Sequence, residues 1–474
     1  MVTARDQGDG AMGSARHLLG NAAVVEQAGA PALRRTLIGR RRGGSPGDVP
    51  VIVVARGPTG LGTLRSLRIA GITAYVACPP GDLVTRSRWY RPVPGGSGWD
   101  GSVGPHVPAI LRAMPLARAV LIPGRDDAAL WLADLPHGDL ADRFRVSSSP
   151  RASLEILQDK SRFGQFLSHT SMPHPRTFTI GSAADIDTIP FDELDRVFIK
   201  PVDSQRFSQV LGAKGLWAAD RAEFEAIWRS LDQRGFQVIA QEYVPGSAAD
   251  HYFIDGFRDR AGALTGLFAR RRQRIYPADF GNSSYCESVP LAELGAAVGQ
   301  LEALLADLRY RGIFSAEFKR DARCGTLRIL EVNTRAWWYV EFAARCGVNV
   351  CRMAHEDALD RPVVPATKAY AVGAGCVNLD GDIKAVLGRG AHRAEPVART
   401  VAKWARAHCH VYRWDDPWPA LSGLWERLRQ RWAHRHAPPP PAGQPMAPDA
   451  GAAGGCDSRH PPSPADANRR AGAR

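Results

Sequence analysis

The sequence predicts an α/β (α+β) protein. Three observations predict it: a β-branched run that feeds a glycine turn and then a helix, a long stretch in which short strands outnumber helices, and a hairpin carrying glutamates at mirrored positions. Val51-Ile52-Val53-Val54-Ala55 is the β-branched run; Gly57-Pro58-Thr59-Gly60-Leu61-Gly62 follows, then Leu64, Leu67 and Ala70 at helical spacing, then Ile72 to Ala77. A helix between two such runs makes a β-α-β unit, whose crossover implies a parallel sheet. Ala119–Pro123 is a strand of the same kind, ahead of a helix over 127–135. A second region opens at Ser149-Pro150, a helix N-cap and first-turn pair, and continues through Leu154, Leu157, Phe163 and Leu167. After Pro173 and Pro175 come candidate strands over 196–200, 237–244, 251–257, 264–269, 313–319 and 327–333, separated by helices over 221–230 and 291–308. No internal repeat is evident.

Composition narrows the class. At 474 residues and 45% hydrophobic content the chain has ample material for buried cores in about three domains. No apolar stretch reaches the roughly 20 residues needed to span a bilayer, and no signal-peptide pattern opens the chain, so a cytoplasmic location without stable membrane insertion is expected. The cysteines are scattered without a CxxC pair, as in reduced thiols, and His408-Cys409-His410 lacks a third ligand nearby. Net charge is +13, but the arginines are spread through every segment and no nucleic-acid-binding spacing occurs; a solvated basic surface, and no nucleic acid, is the reading. Residues 1–48 and 434–474 read as disordered tails, basic and Pro/Gly/Ala-rich respectively, around an α/β domain over 49–149, a larger domain over 150–365 and an extension over 366–433 that packs on it.

The chemistry concentrates in one hairpin. With its turn centred on Cys324, Ile313-Phe314-Ser315-Ala316-Glu317-Phe318-Lys319 faces Leu327-Arg328-Ile329-Leu330-Glu331-Val332-Asn333, so Glu317 lies opposite Glu331 and Asn333 is two residues further along the same face. Like charges directly opposed are destabilising and call for water, a shared proton or a cation between them. Phe314, Ala316, Phe318, Leu330 and Val332 would form the core face, leaving the acids to line a cleft where oxygen ligands and water suit Mg²⁺. Lys160, placed at the close of a helical stretch, and Lys200, at a strand end before Pro201, are flexible ammoniums suited to phosphate. Val238 to Val244, ended by Pro245-Gly246, could hold a flat base by backbone groups, with Asp250 accepting from ribose hydroxyls; an ordinary edge strand would look similar. The glycines at 57–62 suit a phosphate at a helix N-terminus, but no acid ends the second strand at Ala77-Cys78-Pro79, which favours a turn that packs or touches a small substrate.

Taken in order, Lys160, Lys200, Gln241-Glu242-Tyr243-Val244-Pro245-Gly246, Glu317 and Glu331-Val332-Asn333-Thr334-Arg335 resemble the ATP-grasp superfamily, over about residues 50–365. The likeness is to its carbamoyl-phosphate-synthetase-type branch of carboxylate–amine ligases, with a Rossmann-like pre-ATP-grasp domain ahead of a two-lobed grasp. The resemblance implies ATP and Mg²⁺ (or Mn²⁺) as cofactors: Lys160 and Lys200 on the phosphates, Gln241, Glu242, Tyr243 and Val244 at the adenine, Asp250 near the ribose, Glu317, Glu331 and Asn333 on the metal, and Arg335 steadying substrate or an acyl phosphate. Where the family carries adjacent glycines over the phosphates, this chain reads Asp203 to Gly215, so Ser204, Gln205 and Arg206 are expected as donors. Arg270 and Arg272, alternate residues of the run 270–274, either clamp a carboxylate or γ-phosphate or form a solvated face.

The implied reaction joins a small carboxylate to an amine through an acyl phosphate; an ATP-binding sensor or scaffold without catalysis is the alternative. A homodimer is left open. Gly281 to Ser284 and Trp337-Trp338-Tyr339 line an acceptor pocket or the core, and the Trp- and Arg-rich stretch 370–432 packs on the body by default, with a partner or a membrane surface as alternatives.

Overall fold

Val51–Val54 (β1) is entirely buried, which is why it reads as an unbroken apolar run: a parallel strand covered on both faces has no solvent side to alternate with. It pairs in parallel with Ala74–Ala77 (β2) and Ala119–Pro123 (β3), and Phe144–Arg145 (β4) completes a sheet of order β2-β1-β3-β4. The computed structural model describes residues 49–432 apart from 97, 203, 214, 279–280, 368–369, 389–394, 424, 426–428 and 430–431; both expected tails, 1–48 and 434–474, lie outside the described residues.

Between β1 and β2 runs the helix Gly57–Ile69. Gly57 sits at φ +58°, open to glycine at little cost, and its N–H donates to both carboxylate oxygens of Asp82 at 2.9 and 3.0 Å. The helix N-terminus is thus already matched to an acid, and Gly62 serves close packing: a Cβ there would meet Val340 at 3.2 Å.

Helix starts differ in detail from expectation. The stretch after Pro150 is two helices, Arg151–Gln158 and Lys160–Ser168, because Asp159 leaves the helical conformation and its side chain accepts from the N–H groups of Ser161 and Arg162. Lys160 therefore opens a helix rather than closing one. Leu291–Leu294 is a 3₁₀ turn ahead of the helix Ala297–Asp307, where one helix was expected.

Thr177–Ile180 (β5), Val197–Pro201 (β6), Leu216–Ala218 (β7) and Val238–Glu242 (β8) make an antiparallel sheet of order β5-β8-β6-β7. His251–Arg258 (β9), Leu264–Tyr276 (β10), Asn282–Ser288 (β11), Gly312–Arg320 (β12), Leu327–Asn333 (β13), Gly375–Val377 (β14) and His408–Cys409 (β15) make the large sheet, of order β13-β12-β9-β10-β11-β14-β15. β10 runs seven residues past the expected end, because the arginines of 270–274 find carboxylates on their neighbours and remain in the sheet. The C-terminal stretch also does more than pack on this sheet: β14 and β15 extend it.

Candidate active site

The hairpin of β12 and β13 pairs Glu317 with Glu331 and Ser315 with Asn333. Phe314, Ala316, Phe318 and Val332 point into the core; each phenylalanine contributes roughly 1.5–3 kcal/mol by leaving water, which fixes the register and sends the acids to the other face. One detail of the expected face is corrected. A bulge follows the Glu317–Glu331 pair, so Phe318 pairs with Ile329, which is buried, while Leu330 is left half-buried.

The two glutamates differ. Glu317 Oε1 accepts from Arg272 Nη2 at 3.2 Å and lies 2.8 Å from His251 Nδ1. Burial alone would raise its pKa, but Arg272 and His251 outweigh it and hold the carboxyl well below its ordinary range. Burial pushes His251 down to about 4, so the ring is neutral. Glu331 is exposed; its Oε1 accepts from Asn333 Nδ2 at 3.1 Å, and Asn333 Oδ1 accepts from Arg335 Nη2 at 3.2 Å. Arg335 also holds Asp126 at 2.9 and 3.2 Å, and the neighbouring Thr334 accepts from Gln158 at 2.8 Å, so the end of β13 is tied to the first turn of the helix Asp126–Ala133 and to the helix Arg151–Gln158.

Facing these acids are the lysines. Lys200 lies on β6, its ammonium 5.2 Å from the Phe198 ring centroid; burial and then Lys160 depress its pKa, against the pull of Glu331 and Glu317. Lys160, Glu331 and Glu317 all act on the charge of Lys200, which groups the four side chains in one electrostatic cluster. Lys160 Nζ also donates to the Val202 carbonyl at 3.5 Å. Two ammoniums near two carboxylates and an amide oxygen suit a triphosphate with a hard divalent cation, whose ligand shell takes oxygen from protein and phosphate alike. The donor set therefore fits MgATP.

At the base end, the Glu242 carboxylate is held by Arg323 at 2.6 Å and Arg328 at 3.0 Å, and by the N–H of Arg176 at 3.1 Å; Gln241 donates to Thr177 at 3.0 Å. The Glu242 N–H also donates to Arg176 O at 2.8 Å. Val244 is buried, and Tyr243 meets Trp217 edge to face at 5.2 Å with Arg196 stacked 4.1 Å from its ring centroid. Asp250 accepts from the N–H and hydroxyl of Ser247 with one oxygen, which caps a 3₁₀ turn.

Three expectations need correction. Arg270 does not open to a ligand: it is buried against Asp255 at 2.7 Å and lies 3.7 Å from the Phe253 ring centroid, because a guanidinium this far from water must be paired. Arg272 is buried but borders the site through Glu317, and also donates to Ser283 at 3.0 Å. The stretch 204–211 is a helix rather than a loop, and Arg206 donates to the carbonyls of Gly235 and Arg234 while covering Phe236; the side chains of Ser204 and Gln205 lie outside the described residues. Trp337 and Tyr339 are core residues, Tyr339 donating to Ser283 O, and Ser284 is buried against Asp382.

Sequence reasoning missed His251 and Lys319. Lys319 follows Glu317 by two residues on the same face, so alternation alone could have found it; burial pushes it down to about 8, helped by Arg272 and Arg196 and opposed by Asp250, and its ammonium lies 4.9 Å from the Tyr243 ring centroid. His251 is paired with Lys319 across β9 and β12, a contact that no local pattern encodes.

No protein-family model matches the chain. It is 24% identical over 241 residues to the D-aspartate ligase of Enterococcus faecium, a match covering 48% of this chain and 56% of that enzyme; the chain thus spans little more than half of that relative's length. Its fold is similar to a biotin carboxylase-beta-gamma-ATP complex from Campylobacter jejuni, at TM-score 0.52 and 14% identity over 69% of this chain and 74% of that one. It is similar also to the pyruvate carboxylase of Rhizobium etli, at TM-score 0.51 and 14% identity over 69% of this chain and 30% of the other. These likenesses show that the chain shares the fold of those two carboxylases, and the paired acids of the hairpin and the lysines across from them lie within that fold.

Proposed function

We propose that the chain is an ATP-dependent ligase that joins a small carboxylate to an amine. The observation that carries this reading is the pairing of Glu317 with Glu331 across the hairpin, with Lys160 and both glutamates close enough to Lys200 to act on its charge. The kinship with a D-aspartate ligase supports it at the level of reaction class.

In this reading Glu317, Glu331 and Asn333 hold Mg²⁺, which when bound supplies Lewis-acid neutralisation of the phosphates. Lys160 and Lys200 neutralise phosphate oxygens from the other side, and the backbone at 242–244 seats the base. Arg272 keeps Glu317 ionised and aimed, and His251, neutral, holds the same oxygen from the other flank. The substrate carboxylate attacks the γ-phosphorus and ADP leaves; the amine then attacks the acyl carbon and phosphate leaves. Arg335, steady between Asp126 and Asn333, stands at the end of β13 to balance the charge that develops on the acyl phosphate. Positioning and fixed charge supply the acceleration, with no covalent enzyme nucleophile.

Glu331→Ala is expected to lower carboxylate- and amine-dependent ADP release at least about 100-fold, with ATP binding by calorimetry largely retained. Unchanged turnover would defeat the metal assignment. The helix over 204–211, in place of a glycine loop, favours the alternative of a nucleotide-binding sensor. That reading predicts ATP binding with no ADP formed over a broad panel of carboxylates and amines.

A further inference from the structure

Granting the ligase reading, on which this rests, we infer that Lys319 and Asp250 select the sugar of the nucleotide: the two grip the 2′- and 3′-hydroxyls of a ribonucleoside triphosphate and favour it over its deoxy forms. Lys319 has no part in the reaction as set out above. It is 9% exposed, yet among the described residues its ammonium donates no hydrogen bond and closes no ion pair; it rests against the Tyr243 ring, 4.9 Å from the centroid.

An ammonium withdrawn from water without a hydrogen-bonded partner is unfavourable. The three buried arginines of β10 obey that rule. Arg270 meets Asp255 at 2.7 Å, Arg272 meets Glu317 at 3.2 Å and Arg274 meets Asp382 at 2.6 Å. Lys319 departs from it, on the same face of β12 as Glu317 and two residues further along. Its partner is to be sought in a ligand that brings an acceptor.

Asp250 decides which acceptor. After burial, Asp250 is the group that acts most strongly on the charge of Lys319, but no ion pair closes between them. One Asp250 oxygen accepts from the N–H and hydroxyl of Ser247 at 2.7 and 2.8 Å; the other has no hydrogen-bond partner among the described residues. A phosphate oxygen placed between the two side chains would accept from the lysine but be repelled by the carboxylate, and an ammonium would meet the converse. A hydroxyl satisfies both, because it accepts from the one and donates to the other, and two neighbouring hydroxyls span a gap that the side chains do not close themselves. The position agrees. Lys319 lies about 7 Å along the strand from Glu317, at the metal end of the proposed site, and against Tyr243, in the stretch that seats the base. The sugar is what joins those two ends of a nucleotide.

The test measures Mg²⁺-dependent binding of ATP, 2′-deoxyATP and 3′-deoxyATP to the full chain by calorimetry, in the wild type and in Lys319→Met and Lys319→Gln, with folding of each variant checked by urea denaturation. The wild type is expected to bind ATP at least about tenfold more tightly than either deoxy form. Lys319→Met should bring the three within about twofold of one another, chiefly by losing affinity for ATP, and Lys319→Gln, which keeps a donor, should recover part of the preference. Unchanged ATP affinity in Lys319→Met overturns the inference, as does an equal loss for all three nucleotides, which would make Lys319 a general neutraliser of phosphate charge. Should Lys319→Met fail to fold, Lys319→Gln and the preference of the wild type carry the test. A wild type that binds ATP and the deoxy forms alike sinks the sugar selection and leaves the ligase reading standing; one that binds none of the three sinks both.

Discussion

Two carboxylates sit against successive arginines of the same face of β10, one in the interior of the large sheet and one at the cleft. Asp255 meets Arg270 at 2.7 Å and accepts from the Ser315 hydroxyl at 2.6 Å with no exposed surface; Glu317 meets Arg272 at 3.2 Å with one side left open. Burial pushes the Asp255 pKa up despite its arginine, whereas Glu317 is held low by Arg272 and His251 in spite of burial. The interior pair is balanced within itself and serves the sheet. The cleft acid keeps a charge in excess of its local need, beside another acid and across from two lysines, and that surplus is what a bound cation would answer.

The sharpest way to break this comparison is to remove each acid. Asp255→Ala leaves a buried guanidinium without its partner and is expected to cost about 3–5 kcal/mol in urea denaturation. Glu317→Gln keeps the shape, relieves repulsion from Glu331 and is expected to cost less than about 1.5 kcal/mol. Equal losses would mean that Glu317 is as structural as Asp255.

The same contrast explains what was legible in the sequence. The parallel unit at 51–77 and the hairpin register were readable, because unbroken β-branched runs and period-two alternation are local signals, and a glutamate pair centred on one turn residue has only one in-register partner. The bulge after Glu317 was not, since it depends on which apolar side chain fits the core beneath. Nor were the fates of Arg270, Arg272 and Arg274. Their common face follows from alternation, but their partners Asp255, Glu317 and Asp382 come from strands and helices up to 108 residues away. Arg206 was misread for the same reason: its acceptors are carbonyls of a turn 28 and 29 residues on.

A second, smaller effect concerns histidines held neutral by burial. His410 lies against Trp338 and Tyr339, and burial pushes both His408 and His410 down to about 4. The folded chain therefore resists protonation that the unfolded chain accepts near 6.5. Their contribution to stability is present above that value and is lost as pH falls from about 6.5 toward 4. Stability should drop by about 1–2 kcal/mol per histidine between pH 7.5 and pH 5, and His410→Phe should flatten that slope when urea midpoints are compared at the two pH values. An unaltered slope would show that the ring protonates in place and that this edge of the sheet is wetter than its packing indicates.

The smallest expected effect sharpens the comparison from the opposite end. Arg112 and Asp139 make a two-pronged contact at 2.8 and 3.0 Å, geometrically as good as that of Arg270 with Asp255, but both side chains are more than half exposed. Water already solvates either charge alone, so neither desolvation nor an orphaned partner enters the balance. Asp139→Ala should move stability by less than about 0.5 kcal/mol, and raising salt should make even that vanish. If it cost as much as Asp255→Ala, the distinction between the interior and the surface of this molecule would have to rest on contact geometry; if it does not, the cost of losing an acid is set by how far its partner lies from water.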